Sequence, residues 1–130
     1  MQEVVEFLKQ CKYYFLGTVD GDTPRMRPFG TAHIIDGRLC FQTGRKKPVA
    51  QQILSNPNVC ICAYDGDAWL RINAKALPDD RVETQLAMLE AYPQLKSMYA
   101  AGDGNTQIFY LSDATATYYG FGMTEKVITF

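Results

Sequence analysis

Three cations stand in a row within "FQTGRKKPVAQQIL", Phe41 to Leu54: Arg45, Lys46 and Lys47. Pro48 suits a first helical turn, and Val49, Ile53 and Leu54 supply an apolar face behind it. A helix N-terminus already carries about half a positive charge, so added cations are locally unfavourable. A bound anion reverses that sign. A phosphate here would meet the helix terminus, the cationic side chains and amides that Gly44 lets converge. The plain alternative is a solvated basic loop.

A second chemical feature lies one hairpin earlier, in "PRMRPFG", Pro24 to Gly30. Pro28 removes a ladder donor, which points to an edge strand or interrupted pairing with backbone groups open to a ligand. Alternation puts Arg25 and Arg27 on one face and Met26 and Pro28 on the other. A surface edge strand with two solvated arginines is the competing account.

Composition sets the bounds. The chain has 130 residues, 47% of them hydrophobic, which suits one domain with a real core. Its net charge of −1 gives no global attraction to nucleic acid or anionic membrane, so the 45–47 cluster is a local feature. Met1 leads into a charged segment with no leader-like pattern, and no run approaches the ~20 apolar residues of a membrane span. A cytoplasmic protein is the expectation. Cys60 and Cys62 share one face of a strand-like run, with Cβ atoms roughly 7 Å apart, too far for a disulfide. Buried thiols are expected for these two, Cys11 and Cys40. His33 is the one histidine, and no metal site is expected.

The elements that must position these residues follow from periodicity. Val4, Val5, Leu8 and Cys11 predict a helix over residues 2–12. The stretch 13–43 predicts three strands in an up-down-up meander, with tight turns at "DGD" (20–22) and "DG" (36–37). After the cationic helix come strands at "NVCICAY" and "AWLRINAKAL". In the latter, Leu70, Ile72, Ala74 and Ala76 face one way; Trp69, Arg71, Asn73 and Lys75 face the other. A helix is expected over 79–91, capped by Asp79 or Asp80, then a helical turn at "YPQLKSMY". "TQIFYLS", "TATYYGFG" and a "KVITF" edge close the chain. The result is mainly β with inserted helices: a small antiparallel barrel of six or seven strands.

Taken together, "FLGTVDGDTPRMRPFGTAHIIDGRLCFQTGRKKPVAQQILSNPNVCICAYD" and "AWLRINAKA" resemble the pyridoxamine 5'-phosphate oxidase-like flavin-binding split barrels, especially the short NimA/NimC-like proteins named for nitroimidazole resistance. The order and spacing of the R-P-F strand, the T-G-R-K-K turn and the N-P-x-V strand entry carry the likeness. It implies a split barrel over 1–130 that binds FMN at a homodimer interface. By position, Met26, Arg27, Pro28 and Phe29 would lie along the isoalloxazine. Gln42 and Thr43 would lie beside the ring and ribityl chain. Arg45, Lys46 and Lys47 would serve the phosphate, supported by Gln51. Trp69, Met98, Tyr99 and Phe109 would cover the cofactor from the second subunit. The chain lacks the C-terminal arginine and histidine extension of the full-length oxidases, which argues against pyridoxamine phosphate oxidation.

The resemblance implies an oxidoreductase passing electrons from reduced FMN to a small acceptor, for instance a nitroaromatic. The sequence offers no compelling acid, base or nucleophile, and a flavin needs none to carry redox chemistry. Tyr13, Tyr14, Tyr64 and Tyr99 are candidate proton donors that core packing explains equally well. The alternatives are a non-catalytic flavin carrier or sensor, or a binder of another planar cofactor such as heme or a deazaflavin. Heme has only His33 as an imidazole ligand.

Overall fold

In the computed structural model of the protein, residues 1–120, 122 and 124–130 are described. Helix α1 (Gln2–Cys11) buries Val4, Val5 and Leu8 on one face. Strands β1 (Tyr14–Asp20) and β2 (Thr23–Phe29) pair antiparallel about a turn with Gly21 at φ 64°. Short β3 (His33–Ile35) pairs with β4 (Arg38–Gly44). Asp36 and Gly37 between them both have positive φ, as a two-residue hairpin turn requires. Helix α2 (Pro48–Ser55), β5 (Asn58–Tyr64), β6 (Ala68–Asp79), α3 (Val82–Ala91) and a 3-10 turn (Pro93–Ser97) follow. The long β7 (Thr106–Gly120) and β8 (Lys126–Thr129) close the chain.

The sheet is antiparallel with the order β2-β1-β5-β6-β7-β4-β3, and β8 adds to β7. It has eight strands rather than six or seven, and β2 and β3 occupy opposite ends of the path. The expected three-strand meander is therefore two hairpins at two edges. The reason lies in Gly30–Ala32, which joins them without a ladder partner. Side chains hold that crossing instead. Tyr14 Oη donates to the Thr31 carbonyl (2.7 Å), and Tyr92 Oη donates to the Ala32 carbonyl (2.9 Å) while accepting from its N–H (3.0 Å). Thr31 Oγ1 accepts from the Gln42 N–H at 2.9 Å. The barrel is split here.

Inside, Leu16, Phe41, Ile61, Leu70, Ile72 and Phe109 are fully buried. On β6, Leu70, Ile72, Ala74 and Ala76 face the core, while Arg71, Asn73 and Lys75 face solvent. The two strands expected at 106–122 are one strand with a bulge: the β6 register shifts between Asn73 and Lys75, and Asp113 sits at φ 50°. Phe121, within the expected "TATYYGFG" strand, lies outside the described residues.

The helix expected from residue 79 begins at Val82, because β6 runs on to Asp79. Neither Asp79 nor Asp80 is its N-cap; Arg81 is. Asp79 is buried and accepts hydrogen bonds from Arg38 (2.7 Å), Arg81 (2.8 Å) and Thr84 (3.0 Å). The Arg81 bonds, more than any other cause, hold its carboxyl down to about 2. No helix among the described residues is long and apolar enough to cross a membrane.

Candidate functional site: a cationic cleft at the split

The unpaired crossing leaves a cleft of about 710 Å³ between the end of β2, β4, the start of α2 and the 3-10 turn. Its size falls in the range of small-molecule sites, roughly 300–1,000 Å³. Of the residues read from the sequence, Arg27, Pro28, Phe29, Gln42, Thr43, Lys47, Met98 and Tyr99 line it. Tyr13, read from the sequence as a candidate proton donor, joins them, as do Lys9, Lys12, Thr31 and Tyr92, which were not read as site residues. Lys9, Lys12, Arg27 and Lys47 are all cations, and no carboxylate is among the described residues that line the cleft. A protein of net charge −1 thus concentrates positive charge in one concavity.

Among the described residues β2 pairs with β1 alone, an edge position where prolines are tolerated. Its Arg27 reaches inward. Nη1 donates to the Leu16 carbonyl (3.1 Å) and Thr18 Oγ1 (2.8 Å), and Nη2 to Gln52 Oε1 (2.8 Å). Burial, then the neighbouring Arg25, lowers its pKa. Arg27 therefore clamps β1 through Nη1 and α2 through Nη2. Met26 points to the opposite face, 67% exposed, and borders a separate apolar hollow with Gly17, Pro24, Val59 and Cys60.

Gln42 is the most telling residue. It is only 6% exposed, and neither its Oε1 nor its Nε2 has a hydrogen-bond partner. A buried, unpaired amide costs about 1–3 kcal/mol, so such groups are rare in folded chains. Gln42 lines the cleft while its two amide atoms are themselves enclosed, so a turn of the side chain would bring the acceptor–donor pair to a ligand edge.

The cationic turn is built differently from the expected amide cradle. The N–H groups of Arg45 and Lys46 bond to the carbonyl and side-chain oxygens of Asn105, and that of Lys47 to the Gly44 carbonyl. Those amides are spent. Arg45 turns away, to Gln107 Oε1 (3.1 Å) and Asp80 (3.3 Å). Lys46 is exposed outside the cleft, and Gln51 Nε2 bonds the Arg45 carbonyl at 2.9 Å, bracing the turn. Lys47, the α2 N-cap, is the member of the triplet that faces the cleft. Gly44 matters through space rather than dihedral freedom: a Cβ there would lie 3.1 Å from Tyr99 Oη.

Two residues assigned by resemblance to a covering subunit lie elsewhere in this chain. Phe109 is wholly buried and stacks on Phe41 (5.7 Å between ring centres), so it presents no surface to a ligand. Trp69 stacks on Tyr119 at 4.1 Å, with Arg71 over its ring, on the outer face of β6. Met98 and Tyr99 line the same chain's cleft as Arg27. Lys9 and Lys12, a basic pair three apart at the end of α1, were visible signals; nothing in the sequence marked Thr31 or Tyr92.

The model of the pyridoxamine 5'-phosphate oxidase family matches residues 1–112. The chain belongs to this family. Among solved structures, a NimC/NimA family protein from Clostridium acetobutylicum is 33% identical, with TM-score 0.97 over 100% of this chain and 92% of the other. General Stress Protein 26 from Bacillus anthracis (17% identity, TM-score 0.74, 98% and 97% coverage) shares the fold. So does a pyridoxamine 5'-phosphate oxidase-related, FMN-binding protein from Nostoc punctiforme (14% identity, TM-score 0.66, 99% and 95%). No curated protein matches the chain.

Proposed function

We propose that residues 1–130 form one FMN-binding unit of a cytoplasmic flavoprotein that passes electrons from the reduced cofactor to a small acceptor. The observation that carries this reading is Gln42, whose carboxamide is buried and unpaired at the wall of a cleft lined by cations, with no carboxylate among the described lining residues. The pyrimidine side of an isoalloxazine presents carbonyl oxygens beside an N–H, the complement of a carboxamide. The residues present therefore fit the cofactor.

When bound, FMN supplies the two-electron redox chemistry. The chain's own residues bind and orient. Gln42 takes the donor–acceptor edge, and Phe29 and Pro28 shield the cofactor from water. Lys47 neutralises the phosphate beside the positive end of α2. Arg27, anchored on Thr18 and Gln52, holds a fixed positive charge at the cleft wall. No carboxylate, histidine or cysteine lines the cleft, so no side-chain acid or base of those types is assigned. That absence keeps a flavin carrier as the second reading.

The proposal includes a homodimer. Phe15, Met26 and Tyr64 are 49%, 67% and 64% exposed, and the strand alternation puts them on the outer face of β1, β2 and β5. Such an apolar sheet face favours symmetric pairing. Light scattering should give about twice the 14.6 kDa chain mass; a monomer that still binds FMN tightly refutes the pairing.

The test of function is direct. Protein incubated with FMN and desalted should retain flavin absorbance and quench FMN fluorescence on titration, with riboflavin bound more weakly. Rapid oxidation of the reduced protein by nitroaromatic acceptors then separates enzyme from carrier. No flavin retention and no fluorescence change would overturn the reading.

A further inference from the structure

The cleft holds more positive charge than one cofactor phosphate uses, and the charge is divided between its ends. Lys47 stands beyond Gly44, the last residue of β4. Lys9 Nζ lies 3.2 Å from His33 Nδ1, and His33 pairs with Cys40 across the β3–β4 ladder. Cys40 and Gly44 are four residues apart on one strand, which is about 13 Å. The Lys9 ammonium is held at the His33 end, so one phosphate at Lys47 does not also satisfy it.

Lys9 and Lys12 have no carboxylate partner among the described salt bridges. The partner of Lys9 is an imidazole whose pKa is lowered by burial and then by Lys9 itself, so it accepts the lysine's hydrogen bond as a neutral ring. Lys12 stands at φ 68°, ψ −52°, the centre of a strained γ-turn closed by the Tyr13 N–H on the Cys11 carbonyl at 2.8 Å. Lys12 lines the cleft together with Tyr13 and Gly30, and its backbone carbonyl lies 3.9 Å from where a Cβ on Gly30 would stand.

We propose that Lys9 and Lys12 form a second anion seat in this cleft, and that the small molecule bound beside the cofactor carries a carboxylate or phosphate. This rests on the FMN reading for the first seat. The competing explanation is that both lysines only complement the negative end of the α1 dipole, which would affect stability but not ligand charge preference.

The experiment compares 4-nitrobenzoate with 4-nitrobenzamide, nearly isosteric and differing in charge. Each is titrated into the FMN-loaded protein and followed by perturbation of the flavin spectrum. The wild type should bind the carboxylate roughly tenfold or more tightly, as expected for charge-assisted contacts. Lys9→Ala with Lys12→Ala should abolish that preference while leaving the FMN dissociation constant within about twofold. Lys9→Gln with Lys12→Gln, which keeps the side-chain length, should do the same if the alanine variant folds poorly. Equal binding of the two probes by wild type, or an unchanged preference in the variants, overturns the seat. Loss of FMN but not riboflavin binding in the variants also overturns it, because the lysines would then hold the cofactor's own phosphate. If the protein takes up no flavin, the functional reading fails separately. Calorimetry of the same probe pair with the flavin-free protein then decides the seat: a lysine-dependent carboxylate preference supports it, and none refutes it.

Discussion

Gln42→Leu separates ligand recognition from folding. In the ligand-free protein both polar atoms of the Gln42 side chain are buried and unpaired. Each such group costs about 1–3 kcal/mol, and leucine has a similar volume without that penalty. The substitution should therefore stabilise the apo protein by about 1–2 kcal/mol, a rise in Tm of roughly 2–8 °C for a chain of this size. The same change removes the two hydrogen bonds proposed to reach the cofactor, each worth about 0.5–1.5 kcal/mol net, so FMN should bind roughly 5–150-fold more weakly. Thermal unfolding of the apo protein and FMN fluorescence quenching measure the two effects on one preparation. The backbone N–H of Gln42 still bonds Thr31 Oγ1 in the variant, so the crossing at 30–32 stays pinned. A variant that is less stable without ligand and binds FMN as well as wild type would refute the reasoning, since Gln42 would then be a packed core residue.

Lys47→Ala should weaken FMN about tenfold, the low end for a charge-assisted phosphate contact because the side chain is exposed, and should leave riboflavin unchanged; equal loss for both ligands refutes the phosphate role. Arg45→Ala should instead act through its ties to Gln107 and Asp80, lowering stability with little selective loss of FMN over riboflavin in the same titrations. Arg27→Gln should lower the bound-flavin midpoint potential by tens of millivolts, where ~30 mV corresponds to ~1.4 kcal/mol for a two-electron couple, and a potential within a few millivolts of wild type would assign Arg27 to the β1–α2 clamp alone. Asp79→Asn should cost about 1–2 kcal/mol at pH 7: with a folded pKa of about 2 against an ordinary ~4, the carboxylate stabilises the fold above pH ~4 and loses that contribution as pH falls toward 2, so wild type and variant should converge in acid denaturation.

The sequence carried the local elements well and the long-range ones less well. Alternation on β6 and the "DG" turn at 36–37 report local geometry, and both are where the pattern put them. The separation of β2 from β3 was not legible, because strand order depends on which edges meet in space. Nothing in "FGTAHII" says that Tyr14 and Tyr92, far away in the chain, will hold residues 31 and 32 in place of a ladder. The same holds at the site. A charge triplet reads as one feature, but each side chain chooses its own partner: Arg45 finds Gln107 and Asp80, while Lys47 faces the cleft. Phe109 illustrates the opposite error, an aromatic assigned to a ligand when a strand interior claims it.

The split explains why the site lies where it does. A closed ladder between β2 and β3 would consume the backbone of residues 30–32 and leave no opening. Replacing it with hydroxyl bonds from Tyr14, Tyr92 and Thr31 satisfies the crossing and keeps the two edges apart. Phe29 and Phe41 meet edge-on at 5.5 Å beneath it, so the floor is packed although the rim is open. At the open rim the Gln42 carboxamide is left unpaired, while Arg27 and Lys9 are tied to Gln52 and His33. A protein arranged in this way gains stability from occupancy by RT ln(1 + [L]/Kd), about 2.7 kcal/mol at a hundredfold excess over Kd.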